Sequence, residues 1–278
     1  MSSKMTQMYC MMREDDRLQK NWEQNQPRID RALESVLIAR TPREVATAAL
    51  LLVKQRYEPA AAGLLCAECD SDLLVFAREQ GTGGKQLANL IGRRGEVDPE
   101  VVSAAIQSLE FYRDRSRPNT LVRMTWSNEG LLALSRVPVE EVFKPGLRPS
   151  WAQRKAAGLC ELARLLSQNL KLDDGDLRSC LLAIPGLGPE RADAVGVFGF
   201  RRGWPIVDEY LWRLLTRHNV LTPEQQKASS YDNRRRAFEP CWRELVNSEL
   251  AEPDELAATL YLWACEAERF GYSYAIEG

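Results

Sequence analysis

The stretch that decides the fold is Ala183–Arg217, AIPGLGPERADAVGVFGFRRGWPIVDEYLWRLLTR. At its centre Gly186-Leu187-Gly188 lies between Pro185 and Pro189. Asp174 can cap a helix running to about Ile184, Pro185 ends it, and the two glycines tolerate the positive φ of a tight hairpin. Pro189 suits the first turn of the next helix, Glu190 to Phe200, whose Ala192, Ala194 and Gly196 allow close packing. The pattern predicts a helix-hairpin-helix over 174–200. Bare glycines let such a hairpin approach a phosphate, with unpaired N–H groups and the positive end of the second helix aimed at it. Arg191, Arg201, Arg202, Arg213 and Arg217 lie close by in sequence and would supply local positive charge. Asp208 follows Pro205-Ile206-Val207 and opens a further helix, Glu209 to His218, as its N-cap, where the helix dipole is expected to keep the carboxylate ionised.

Helical signals recur on both sides. Apolar residues at Ile29, Leu33, Val36 and Leu37 stripe one helix, and Thr41-Pro42 caps and starts another running through about Lys54. Asp98-Pro99 opens Val101 to Tyr112, Ser150 begins an amphipathic stretch to Leu166, and Glu252-Pro253-Asp254 precedes a helix through Phe270. No series of alternating strands interrupts them, so the fold class is all-α. Residues 1–27 are expected as a polar N-terminal tail and 28–278 as the folded domain. The stretch Gly81–Gly95, GTGGKQLANLIGRRG, fails as a phosphate loop because Gln86 follows Lys85 where a magnesium-holding hydroxyl belongs; it is expected as a loop between helices.

The 278 residues are 45% apolar, enough for a sizeable core. With 37 basic against 39 acidic residues the net charge is -2, so any polyanion must be met by a local patch. No apolar run is long enough to span a membrane and no secretory signal opens the chain, which predicts a cytoplasmic protein with no membrane partner. Seven cysteines without framework spacing suit buried reduced thiols. Cys66 and Cys69 form the one close pair; with His218 the only histidine and no second pair, a zinc site is not expected, and no metal residue is assigned.

These residues resemble the helix-hairpin-helix, Gly-Pro-Asp superfamily of DNA glycosylases, of which endonuclease III is the type member. The likeness extends outward through VFKPGLRPSWAQRKAAGLCELARLL, SNEGLLALSRVPVEEV and TPREVATAALLLVKQRYEP, covering most of Thr41 to Phe270, with 67–125 longer than the family average and read as an insertion. The resemblance implies two interlocked helical subdomains with the active-site cleft between them. Asp208 matches the essential aspartate, Arg213 the arginine that follows it, and Gly186, Leu187 and Gly188 the phosphate-gripping hairpin, with Arg191 beside them.

Such enzymes extrude a base from double-stranded DNA and fill the gap with a side chain. Gln55 is the candidate wedge, and Tyr57 and Trp212 are candidates for stacking on a base. Cleavage builds positive charge on the sugar, which the Asp208 carboxylate would stabilise. Family members that also cut the strand carry a lysine where this chain has Glu190; without an amine there is no Schiff base, so the resemblance implies a monofunctional enzyme that leaves an abasic site. Glu190 is either a second pocket carboxylate or a solvated helix-start residue. Cys265 has no Cys-x-x-Cys after it, so the family's iron–sulfur cluster is not expected; a monovalent cation at the hairpin is open. Ala48 to Val53 lacks the acid of the adenine-specific branch. Within the resemblance two substrates are open, a damaged or deaminated base in repair and a hypermodified cytosine, such as glucosylated hydroxymethylcytosine, in defence against phage; a monomer in the cytoplasm or on a bacterial nucleoid is expected. The alternative is a non-catalytic helix-hairpin-helix DNA-binding protein in which Asp208 is only a cap.

Overall fold

The computed structural model describes residues 3–15, 27–65, 68–114, 119–143, 147, 149–168 and 172–272. Among them it is all-helical, with fourteen α-helices and no strand. In chain order these are α1 (Lys4–Glu14), α2 (Arg28–Leu37), α3 (Arg43–Tyr57), α4 (Ser71–Glu79), α5 (Gly81–Gly92), α6 (Pro99–Arg113) and α7 (Thr120–Arg123). There follow α8 (Asn128–Ser135), α9 (Ala152–Ser167), α10 (Asp174–Ala183), α11 (Pro189–Phe200), α12 (Glu209–Arg217), α13 (Tyr231–Val246) and α14 (Pro253–Phe270). The chain divides into two compact units, Trp22–Leu187 and the joined segments Met1–Asn21 and Gly188–Gly278.

In the first unit α3 is the central helix, packed by α2, α5, α6 and α8. Its run Val45 to Val53 is buried on every side, so the helix is core all round rather than amphipathic. Lys54 is buried with it. Its ammonium meets Asp30 Oδ2 at 2.5 Å and donates to the Leu121 and Met124 carbonyls at 3.1 and 2.5 Å. Burial pushes the Asp30 carboxyl up to about 6, against the pull of Lys54. A second buried ammonium, Lys155 of α9, donates to the Leu37 and Ala39 carbonyls at 2.5 and 2.7 Å and to Thr41 Oγ1. It thereby satisfies carbonyl oxygens past the end of α2 that no helix bond can reach. Thr41, expected to cap α3, serves Lys155 instead, and Pro42 stands at the N-cap.

The structure differs from the sequence reading at Gly81–Gly95 and in residues 1–27. Gly81–Gly95 is not a loop: Gly81–Gly92 is the helix α5. A Cβ on Gly84 would strike the Ala77 carbonyl, and one on Gly83 would lie 2.5 Å from Pro42 Cβ. These glycines serve close packing against α4 and the start of α3, not flexibility. The segment 67–125, which the sequence reading takes as an insertion, carries α4 to α7, and α5 and α6 pack directly on α3. Residue 67 and residues 115–118 lie outside the described part. Nor are residues 1–27 wholly a tail. Ser3 caps α1 through the Thr6 amide, and Met5, Met8, Tyr9 and Met12, spaced along one helical face, are buried. Helix α1 packs against α13, and its Tyr9 ring stands 5.5 Å from that of Trp263 on α14.

In the second unit a local sequence of events places residue 208. Helix α11 ends where Arg201 turns left-handed, at φ 52°, and the Arg202 amide closes back on the Gly196 carbonyl at 3.0 Å. The extended chain then lays the Trp204 indole on Gly196, where any Cβ would collide with the ring. Ile206 and Val207 are buried next, so the chain enters α12 with Asp208 at its N-cap. Gly203, which a Cβ would bring to 2.5 Å from Pro253 Cβ, brings the start of α14 alongside.

Candidate active site

Asp208 is only 5% exposed. Its Oδ1 accepts the Leu211 amide at 2.8 Å, which is the cap the sequence predicts. Its Oδ2 accepts the Cys265 thiol at 3.6 Å. The helix end favours the charged form of this carboxylate, but it is not the largest influence on it. Burial pushes the carboxyl up to about 6, and the nearby Glu190 charge pushes the same way, while the Leu211 amide, Arg191 and the Cys265 thiol pull against them. Desolvation outweighs the helix end here because a nearly dry site penalises charge more than one amide relieves it.

Arg191 joins this carboxylate to its neighbours. Its Nη2 lies 3.1 Å from Glu190 Oε1 and its Nη1 donates to the Tyr261 hydroxyl at 3.3 Å. Burial works against the guanidinium charge, but Tyr261, Glu190 and Asp208 together hold it above its ordinary value. Glu190, Arg191, Asp208, Tyr261 and Cys265 therefore form one constellation carried by α11, α12 and α14. Tyr261 and Cys265 were not legible as members, since nothing in their local sequence marks them; they lie one turn apart, at i and i+4, on α14. Behind them the fully buried Asp193 accepts the Tyr231 hydroxyl at 2.9 Å and pairs with Arg235 at 3.2 Å. Burial and then Asp193 raise the Tyr231 hydroxyl well above its ordinary value.

The other expected residues are placed differently. Gln55 is 6% exposed, and its amide donates to the Leu64 carbonyl and Ser103 Oγ, both at 2.9 Å. A side chain tied down inside the Trp22–Leu187 unit is not available to enter a base stack, so the wedge assignment is withdrawn. Tyr57 is half-buried in the same unit, its hydroxyl raised by burial. Trp212 is buried on α12 with the Arg234 guanidinium 5.8 Å over its ring, so it belongs to the core. Arg213 is exposed but engaged with Glu209 at 3.1 Å, and Arg234 holds the same Glu209 carboxylate.

In the turn after α10 Gly186 takes φ 94°, a conformation that requires glycine. The Leu187 amide donates to the Ile184 carbonyl at 3.2 Å, so it is not one of the unpaired N–H groups expected there. Gly188 is extended, begins α11 with no capping side chain, and has nothing among the described residues within 4 Å of where a Cβ would stand. Its glycine is not required by the protein's own packing.

Of the cysteines, Cys241 and Cys265 are buried as expected, whereas Cys10, Cys69 and Cys160 are half-buried and Cys180 is exposed. Cys66 lies outside the described residues. Among the described residues no three His, Cys, Asp or Glu side chains converge as a metal site would require, and no helix is long and apolar enough to cross a membrane. In comparisons with protein-family models, with curated proteins and with solved structures, nothing matches this chain.

Proposed function

We propose that this chain is a monofunctional DNA glycosylase, which hydrolyses the N-glycosidic bond of a modified or damaged base in double-stranded DNA and leaves an abasic site. The observation that carries the reading is the buried Asp208 carboxylate, fixed by the Leu211 amide and the Cys265 thiol and bordered by Glu190 and Arg191. Above about pH 6 it is ionised in a dry setting, where a fixed negative charge acts on a developing cation far more strongly than in water. As the bond to the base breaks, its electron pair leaves with the base, Asp208 balances the positive charge on the sugar, water adds to the sugar carbon, and the proton that water gives up ends on the departed base. Glu190 stands where a strand-cutting relative would offer an amine, so the reaction stops at the abasic product.

The helix-hairpin-helix over 174–200 belongs to the same proposal. The uncapped start of α11 and the open space at Gly188 suit a phosphate drawn to the helix N-terminus. Contacts of that kind hold the DNA backbone without reading its sequence.

The test is alkali-dependent cleavage of end-labelled duplexes carrying uracil, alkylated purines, oxidised bases or glucosylated hydroxymethylcytosine, with the natural chain beside Asp208→Asn. Cleavage that needs alkali and is abolished in the variant is the expected result. Duplex binding with no abasic sites on any substrate would refute the enzymatic reading in favour of a non-catalytic binder.

A further inference from the structure

Trp151 is the most exposed large apolar side chain among the described residues, at 56%. Its backbone is left-handed, with φ 61° and ψ 38°, a conformation that a bulky side chain seldom adopts. Arg40, in the same unit, is left-handed too, with φ 55°. Their side chains meet: the Arg40 guanidinium lies 5.1 Å from the centre of the Trp151 ring and that of Arg154 lies 5.8 Å from it. Both arginines are exposed, and among the described residues neither has a carboxylate partner.

The arrangement is held from beneath. Lys155, next to Arg154 at the start of α9, is buried and bonded to Leu37, Ala39 and Thr41, the turn that carries Arg40. One ammonium thus fixes both strained positions to each other. Strain persists where the surroundings over-determine it, and it clusters at sites that bind.

An aromatic ring that stays 56% exposed with two unpaired guanidiniums over it matches one ligand chemistry: a nucleobase stacked on the ring's exposed surface, with its neighbouring phosphates meeting the cations. In a duplex those base faces are already covered by their neighbours. We propose that Trp151, Arg40 and Arg154 form a stacking site for single-stranded DNA. The proposal stands on the Trp22–Leu187 unit alone and goes beyond the chemistry assigned to Asp208.

The probe is a fluorescein-labelled 12-nucleotide oligothymidylate, titrated by anisotropy at two salt concentrations against the natural chain and its variants. Trp151→Gly removes the ring while permitting the left-handed backbone, so its melting temperature should equal or exceed that of the natural chain. Its affinity for the oligonucleotide should fall about tenfold to a hundredfold, and Trp151→Phe should keep most of the affinity. Arg40→Ala with Arg154→Ala should flatten the dependence of log affinity on log salt by about 1.4, for two single-strand phosphates.

Unchanged binding by Trp151→Gly would overturn the proposal. So would a Trp151→Gly variant whose affinity for the same-length duplex falls as far as its affinity for the oligonucleotide, or a natural chain from which thymidine monophosphate displaces the oligonucleotide at equal nucleotide concentration. None of these outcomes bears on Asp208, which the alkali assay tests separately.

Discussion

Replacing Asp208 by Asn should abolish the proposed base excision and at the same time make the protein more stable. Its carboxyl titrates at about 6 against an ordinary value of 3.8, so the folded state holds the proton more tightly than the unfolded chain does. Stability therefore falls as pH rises from about 4 through 6, and the whole loss is present above the folded value. At 1.36 kcal/mol per pKa unit the ionised carboxylate costs the natural chain about 3 kcal/mol at pH 7.5, and about half of that at pH 5. Asparagine caps a helix about as well as aspartate, so the Leu211 amide keeps an acceptor while the buried charge disappears. Paired urea titrations of the two chains at pH 7.5 and pH 5 read the difference directly. Asp30 titrates in the same window but contributes equally to both chains, so it cancels. An Asn variant less stable than the natural chain at pH 7.5, or a gap that does not change with pH, would refute the reasoning.

The proposed glycosylase activity should rise with pH to a plateau, with a midpoint near 6 set by ionisation of Asp208, and Cys265→Ala should move that midpoint upward by removing a donor to the charged form; a flat pH–rate profile from 5 to 8 contradicts this. Lys54→Ala strands the buried Asp30 carboxylate and should cost about 3–5 kcal/mol in urea unfolding at pH 7.5, and less at pH 5 where Asp30 takes up a proton. Gly196→Ala drives a methyl group into the Trp204 indole; it should cost about 1–3 kcal/mol and lower turnover, because residues 204–208 carry Asp208 into place. Turnover equal to that of the natural chain would uncouple that packing from the site.

What the sequence determined by itself is local in origin. Asp98-Pro99 opens α6, Pro253 opens α14 and Asp208 caps α12, as their spacing predicts, because a cap or a first-turn proline acts on amides within a few residues of itself. The positive φ of Gly186 was legible for the same reason. The left-handed conformation of Trp151 was not, since nothing nearby in sequence demands it; the tie from Lys155 to the turn after α2 fixes it. Glycines at 83 and 84 look like loop residues until the Ala77 carbonyl and Pro42 are seen against them. Gln55 looks available until Leu64 and Ser103 are seen holding its amide. The same limit applied to charge: the sequence placed Asp208 at a helix end, but its proton affinity follows from how much water the fold removes and from Glu190, Arg191 and Cys265 around it. Capping and turn chemistry are short-ranged along the chain, whereas burial and pairing depend on which distant surfaces meet, and only tertiary structure decides that.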